Sequence, residues 1–153
     1  MSTLSVFLAF VLVSTVQGYI LTRDCPKGWV LYRWNCYLFS EEKVNFKQAM
    51  IKCAEATGDG RLVQVHDEEE EEWLQLQFML RGMERVWMGV SDIIKENKFL
   101  KLSNAENIQF NNWGSGEPNN SGKEHCVEWK DGKWNDLSCE SKNGFACERP
   151  LFM

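Results

Sequence analysis

The chain has 153 residues, 44% of them hydrophobic and 25% charged, with a formal net charge of −5. That length suits one domain able to bury a real core, and the acidic balance excludes the basic footprint of a nucleic-acid-binding protein. The sequence contains no repeat, heptad run or collagen-like tract, so any homo-oligomer would have to form through the domain surface.

Residues 1–18 carry no charged side chain. Their apolar stretch, Leu4 to Val13, is short, and Val16 and Gly18 are small residues suited to a cleavage point. This reads as a secretory signal peptide. It falls short of the roughly 18–20 apolar residues that cross a bilayer, and no other stretch is long enough, so no membrane span is expected. The expected product is secreted and extracellular, with residues 19–153 forming the domain. Beyond residue 18 lie six cysteines: Cys25, Cys36, Cys53, Cys126, Cys139 and Cys147. An even number in an exported chain implies disulfides; the count alone leaves their pairing open.

From Gly28 to Phe39, aromatic and polar residues alternate around Arg33-Trp34-Asn35, the pattern of a hairpin. Phe46, Ala49, Met50 and Cys53 then follow the spacing of one buried helical face, and Gly58 stops the helix. Arg61 to His66 reads as extended. A second helix runs from Asp67 to Leu80, with Asp67 as cap, Glu70 in the capping-box position and Trp73, Leu76 and Leu80 on its apolar face. Glu68 to Glu72 suit the positive end of the helix dipole and read as a solvated helix start. Val86 to Val90 reads as a central strand and Phe99 to Leu102 as a short one. Asn104 to Gly122 is a long polar loop, of the kind that usually carries function. Strands over Glu124–Trp129 and from Trp134 onward are joined by the turn pair Asp131-Gly132, and Asn143 to Glu148 closes the sheet. The hairpin is expected to set Asn135 and Asp136 against Glu124.

The chemistry concentrates between Glu117 and Asp136. Glu117, Asn119, Glu124, Asn135 and Asp136 all end in oxygen donors. Ca²⁺ takes six to eight such oxygens, whereas zinc favours nitrogen and sulfur. Glu117-Pro118-Asn119 by itself is ordinary turn chemistry. Its combination with Trp134-Asn135-Asp136, framed by Cys126 and Cys139, is far more specific. Paired carboxylates such as Glu117 and Glu124 also serve glycosidases, but both are needed as metal ligands here. His66 and His125 are the two histidines, and neither completes a Ser/His/Asp or Cys/His arrangement. The chain therefore reads as a non-enzyme.

Glu117-Pro118-Asn119, Glu124 before Cys126 and Trp134-Asn135-Asp136 before Cys139 resemble the calcium and sugar site of C-type lectin domains. Trp87-Met88-Gly89-Val90 resembles that family's core segment, and the six cysteines resemble its long form. The resemblance spans Cys25 to Cys147. It implies an α+β fold of two helices and mostly antiparallel sheet, with disulfides Cys25–Cys36, Cys53–Cys147 and Cys126–Cys139 and a cis bond before Pro118. It also implies Ca²⁺ on Glu117, Asn119, Glu124, Asn135 and Asp136, with Glu117, Asn119, Glu124 and Asn135 also touching sugar. The order Glu then Asn is similar to the branch that prefers mannose, N-acetylglucosamine, glucose or fucose over galactose. Such a lectin would bind glycans on cell or microbial surfaces, as in innate immune recognition.

A second metal site of the family, over Asp92, Glu96 and Asn120, is partly matched: Asp92 and Glu96 fit the pattern, whereas Asn120 and His125 each stand where an Asp is common. Asn119-Asn120-Ser121 is a glycosylation sequon, but a glycan on Asn119 would destroy the metal site, so Asn119 is expected to be unmodified. Two other functions use the same fold: a C-type-lectin-like protein-binding module, and a calcium-mineral-associated or ice-binding protein. The intact ligand set argues against the first, and only Glu68 to Glu72 hints at the second.

Overall fold

The computed structural model describes residues 24–151. The signal-peptide reading of residues 1–18 therefore lies outside the described residues. Ten elements follow one another: β1 (Val30–Tyr32), β2 (Asn35–Val44), α1 (Phe46–Thr57), β3 (Arg61–Leu62), α2 (Glu68–Leu80), β4 (Arg85–Ser91), β5 (Leu100–Lys101), β6 (Glu124–Lys130), β7 (Lys133–Ser138) and β8 (Asn143–Pro150). The strands form one sheet in the order β1-β2-β8-β4-β6-β7, with β3 added to β8 and β5 to β4. Every pairing is antiparallel except β4 with β8, where Val86 stands opposite Gly144 and Trp87 opposite Phe145. The fold is the α+β arrangement that the sequence implies. No helix among the described residues is long and apolar enough to cross a membrane.

The three disulfides are Cys25–Cys36, Cys53–Cys147 and Cys126–Cys139. Cys53–Cys147 ties α1 to β8 across 94 residues of sequence, a loop long enough for about 4–5 kcal/mol of stabilisation through the unfolded state. Under α1, Phe46, Ala49 and Cys53 pack with Leu62, Trp87 and Phe145. The Trp87 indole N–H donates to the carbonyl of Val44 at 2.8 Å. A second cluster joins Tyr37, Leu74, Phe78, Met88, Val127, Trp129 and Trp134. At Gly89 a Cβ would meet the Leu62 carbonyl oxygen at 2.5 Å, so only glycine lets β4 pass this close to β3.

Helix α1 begins with a complete capping box, Asn45 with Gln48, and ends at Gly58 in the left-handed region. Its buried stripe is narrower than the apolar spacing suggests. Met50 is 39% exposed and lies at the rim, beside Arg61 and Leu102.

Helix α2 departs further from its sequence pattern. The buried positions are Glu70, Glu71, Leu74 and Phe78, while Leu76 and Leu80 are exposed. Asp67 does cap the helix, accepting from the Glu70 N–H at 2.8 Å. The box is not closed, because the Glu70 carboxylate accepts instead from the His66 N–H and from the Tyr37 hydroxyl. Glu71 accepts from the Trp134 indole and from Asn112. Each glutamate has donors waiting in the core, so burying it leaves no acceptor unpaired. Arg33 in the β1–β2 turn completes the helix start through ion pairs with Asp67 and Glu69.

Glu148 on β8 is wholly buried. Its Oε1 accepts from Arg61 Nε at 3.0 Å. Burial, only partly offset by Arg61, pushes its carboxyl up to about 7 from an ordinary 4.5. The folded state therefore keeps a proton that the unfolded state releases, and stability falls as pH rises from about 4.5 to about 7. The cost of charging is on the order of 3 kcal/mol. Glu148→Gln removes that term. In urea unfolding of the metal-free protein, the variant should exceed the parent by about 2–3 kcal/mol at pH 8, with the difference shrinking toward pH 4.

Candidate metal and ligand site

The loop between β5 and β6 has little regular structure, yet its base is pinned to β7. The Trp134 N–H donates to the Asn112 carbonyl and the Gly114 N–H to the Trp134 carbonyl, at 2.9 and 2.8 Å. Phe110 and Trp113 pack edge-on against Trp134. Trp134 and Trp129 are both core residues, in keeping with a packing role.

The loop tip closes on Asp136. This residue is fully buried on β7, and its two carboxylate oxygens accept the backbone N–H groups of Asn119 and Asn120 at 3.0 and 2.7 Å. The Glu117–Pro118 bond is cis. The Asn119 carboxamide donates to both oxygens of Glu117, at 2.9 and 2.8 Å, so the side chains flanking Pro118 meet. Glu124 joins from β6 by accepting the Ser121 N–H at 3.1 Å, while Ser121 also donates to Asn119 Oδ1 at 2.7 Å. Burial and the adjacent Asp136 carboxylate push the Glu117 carboxyl above its ordinary value. Two carboxylates that raise one another's cost are what a divalent cation neutralises. A donor set of carboxylates and carboxamides, with no sulfur, fits Ca²⁺.

Asn135 is placed differently from the expectation. The two-residue turn at Asp131-Gly132 pairs Glu128 with Asn135 and Val127 with Asp136, and an irregularity after Glu124 leaves Ser138 opposite Glu124. Asn135 Nδ2 donates to Glu128 Oε1 at 3.0 Å. Glu128 itself is fully buried and also accepts from Arg85 and from Asn143. The Asn135 carboxamide oxygen remains an acceptor. Sequence reading missed Glu128. Its only signal was a carboxylate at a core position of a strand, which cannot stay charged without partners.

The residues of the second set also come together. One ligand atom from each of Asp92, Glu96 and His125 lies within 4.8 Å of the others. His125 Nδ1 is 3.0 Å from Asp92 Oδ1 and 3.6 Å from Glu96 Oε2. The Asn97 N–H donates to Asp92 Oδ2, and Asn120 Nδ2 donates to Asn97 Oδ1. Asn120 Oδ1 is buried without a partner among the described residues. The imidazole already engages Asp92, so this set suits Ca²⁺ less well than the first.

Residues 42–149 match the family model described as Lectin C-type domain. C-type lectin domain family 4 member M of Gorilla gorilla gorilla is 36% identical over 132 residues, covering 85% of this chain and 34% of that protein. The chain thus spans about a third of the length of the curated relatives that it first matches. Among solved structures, the human scavenger receptor C-type lectin carbohydrate-recognition domain superposes with a TM-score of 0.77 at 33% identity, covering 83% of this chain and 99% of that one. The carbohydrate-recognition domain of cow CD23, solved in the presence of a GlcNAc2Man3 oligosaccharide, gives 0.75 at 33% identity, covering 83% and 96%.

Loss of a buried partner that orients a ligand typically lowers metal affinity 10–100-fold. Glu128→Gln replaces one carboxylate oxygen by an amide NH₂ and so sets two of the four accepted hydrogen bonds donor against donor, beside Asn135 or beside Asn143. Calcium titration should show affinity about tenfold or more below the parent, with the near-UV circular dichroism of the folded domain retained.

Proposed function

We propose that this chain, which belongs to the C-type lectin domain family, is a secreted, calcium-dependent glycan-binding protein with mannose-type preference. The observation that carries this reading is the closure of Glu117, Asn119 and Asn120 onto the buried Asp136 carboxylate, with Glu124 tied to the same loop through Ser121. Glu117, Asn119, Glu124, Asn135 and Asp136 are the residues that would hold the ion. Bound Ca²⁺ supplies a Lewis-acid seat for two adjacent sugar hydroxyls.

The side chains then decide which sugar fits. A carboxylate only accepts, while a carboxamide also donates. Glu117 accepts a hydroxyl proton and Asn119 donates to the same oxygen. Glu124 and Asn135 treat the neighbouring hydroxyl likewise once the Asn135 amide is shared between Glu128 and the sugar. This order of acceptors and donors matches neighbouring equatorial hydroxyls, as on mannose, N-acetylglucosamine, glucose and fucose. Cow CD23, whose domain was solved with a mannose-containing oligosaccharide, supports the sugar class. None of these contacts makes or breaks a covalent bond, in keeping with a non-enzyme.

Few hydroxyls contact one shallow site, so a single site binds on the order of millimolar, about −4 kcal/mol. Useful avidity on cell or microbial surfaces then requires clustered sites facing clustered glycans. Exchanging Glu117→Gln together with Asn119→Asp keeps the oxygens but swaps donor and acceptor sides. On a glycan array this double variant should shift toward galactose with calcium binding largely kept, and the parent should lose mannose-type binding in EDTA. Parent binding that persists in EDTA, or that favours galactose, overturns the reading.

A further inference from the structure

Glu128 joins Asn135 to a cation that the hydroxyl contacts leave unused. Its Oε2 accepts from Arg85 Nε and its Oε1 from Arg85 Nη2, at 2.8 and 2.5 Å. The same Oε1 accepts from Asn135 Nδ2 at 3.0 Å. The guanidinium and the Asn135 carboxamide therefore meet on one oxygen, and their nitrogens stand no further apart than those two bonds laid end to end. Glu128 is wholly buried, so both groups are held from beneath by a carboxylate that cannot swing away.

Strand pairing adds charge around Arg85. Arg85 stands opposite Lys130, and Lys130 opposite Lys133, so three cationic residues form one row across β4, β6 and β7. Residues paired across a sheet share a face, as do residues two apart on a strand. Glu128 and Asn135 are therefore on the face of that row. Like charges set opposite one another are destabilising, and the fold relieves this row only in part. Lys133 is drawn aside, its Nζ donating to Asn112 Oδ1 at 2.6 Å. Asp131 in the turn attracts Arg85. Lys130 is exposed. A guanidinium carries five N–H groups. Glu128 takes the edge formed by Nε and Nη2, and the edge formed by Nη1 and Nη2 is a second fork of the same geometry. The Arg85 side chain is 40% exposed, which opens that fork to solvent.

We propose that Arg85, with Lys130 beside it, forms an anion subsite next to the sugar position and takes a sulfate or phosphate ester carried by the glycan. The inference rests on the sugar-binding role of Asn135 proposed above. With the 3- and 4-hydroxyls at the ion, the exocyclic carbon 6 is the arm of the ring next to the 4-hydroxyl. An ester on that arm extends beyond the hydroxyl toward a group that neighbours Asn135. Sulfate and phosphate both present a pair of oxygens to a guanidinium fork, and Lys130 adds a point charge. Arg85 is already ordered by Glu128, so little of its side-chain freedom remains to be lost on binding. A bound anion also relieves the row of like charges.

The test is an NMR titration of the folded, disulfide-bonded protein, saturated with Ca²⁺, with methyl mannoside, its 6-sulfate and its 6-phosphate. The parent should bind at least one ester about tenfold more tightly than the plain mannoside, and the advantage should shrink as salt is added. The ester with the larger advantage identifies the anion. Arg85→Lys keeps a charge on Glu128 but has no second fork. It should bring the esters to within about twofold of the mannoside, with mannoside binding and calcium titration at the parent level. Lys130→Gln should lose part of the advantage, and Lys133→Gln none of it. Esters that the parent binds no better than the mannoside, an advantage that survives Arg85→Lys, or one that is lost in Lys133→Gln instead each overturns the subsite. Failure of the parent to bind any of the three sugars overturns the sugar-binding role itself, and the subsite with it.

Discussion

The Asp136 carboxylate is the fixed point of the ligand loop. It sits fully buried on β7, the strand that also carries the buried Trp134, and it accepts two consecutive backbone N–H groups from the loop tip. Irregular backbone must find partners for its polar groups outside any ladder. Here two of those groups are satisfied by a side chain that the β6–β7 hairpin places with the precision of a sheet. The Cys126–Cys139 disulfide ties β6 to the residue that follows β7, and Glu124 on β6 reaches the same loop through Ser121. The loop takes its shape from the hairpin, not from its own sequence.

Much of this was legible in the residues. Apolar spacing from Phe46 to Cys53 and the stop at Gly58 located α1, and Asp131-Gly132 marked the hairpin, where both residues adopt positive φ. The joint motif around Glu117 and Asp136 found the loop that closes on Asp136. What was not legible shares one physical cause. Glu70, Glu71, Glu128 and Glu148 are buried because of partners far along the chain: Glu70 meets Tyr37, Glu71 meets Trp134, and Glu148 meets Arg61. Periodicity counts a glutamate as polar and assigns it to solvent, so α2 was rotated toward Leu76 and Leu80. Leu76 and Leu80 stand two positions on from Leu74 and Phe78, about 200° around the axis at about 100° per residue, so the expected face is nearly opposite the buried one. Asn135 was set against Glu124 for a related reason. Hairpin pairing is fixed by the turn, but the irregularity between Glu124 and Cys126 shifts one end of the register, and only the ladder itself reveals it.

The buried carboxylates divide into two kinds, and the division bears on function. Glu70, Glu71 and Glu128 are saturated with donors from indole, phenol, guanidinium and amide groups. Hydrogen bonds from His66 and the Tyr37 hydroxyl overcome burial and hold Glu70 below the ordinary carboxylate range. Its charge is stabilised by the fold itself, and that contribution is present above the ordinary value and lost as pH falls through the folded one. Removing such a residue strands several donors at once, which is why these positions belong to the architecture.

Glu117 and Glu148 are of the other kind. Burial leads the upward shift of both, and a second carboxylate stands close to each, Asp136 in one case and Glu70 in the other. Such a group can relieve its cost by taking a proton or by taking a cation. A proton satisfies one oxygen, whereas a divalent ion draws on both carboxylates and turns their mutual repulsion into shared attraction. The fold has spent its internal donors on Glu70, Glu71, Glu128 and Asp136 and left Glu148 with one oxygen unpaired. Glu117 stands on an open loop where a cation could reach it, whereas Glu148 is wholly buried and relieves its cost with a proton.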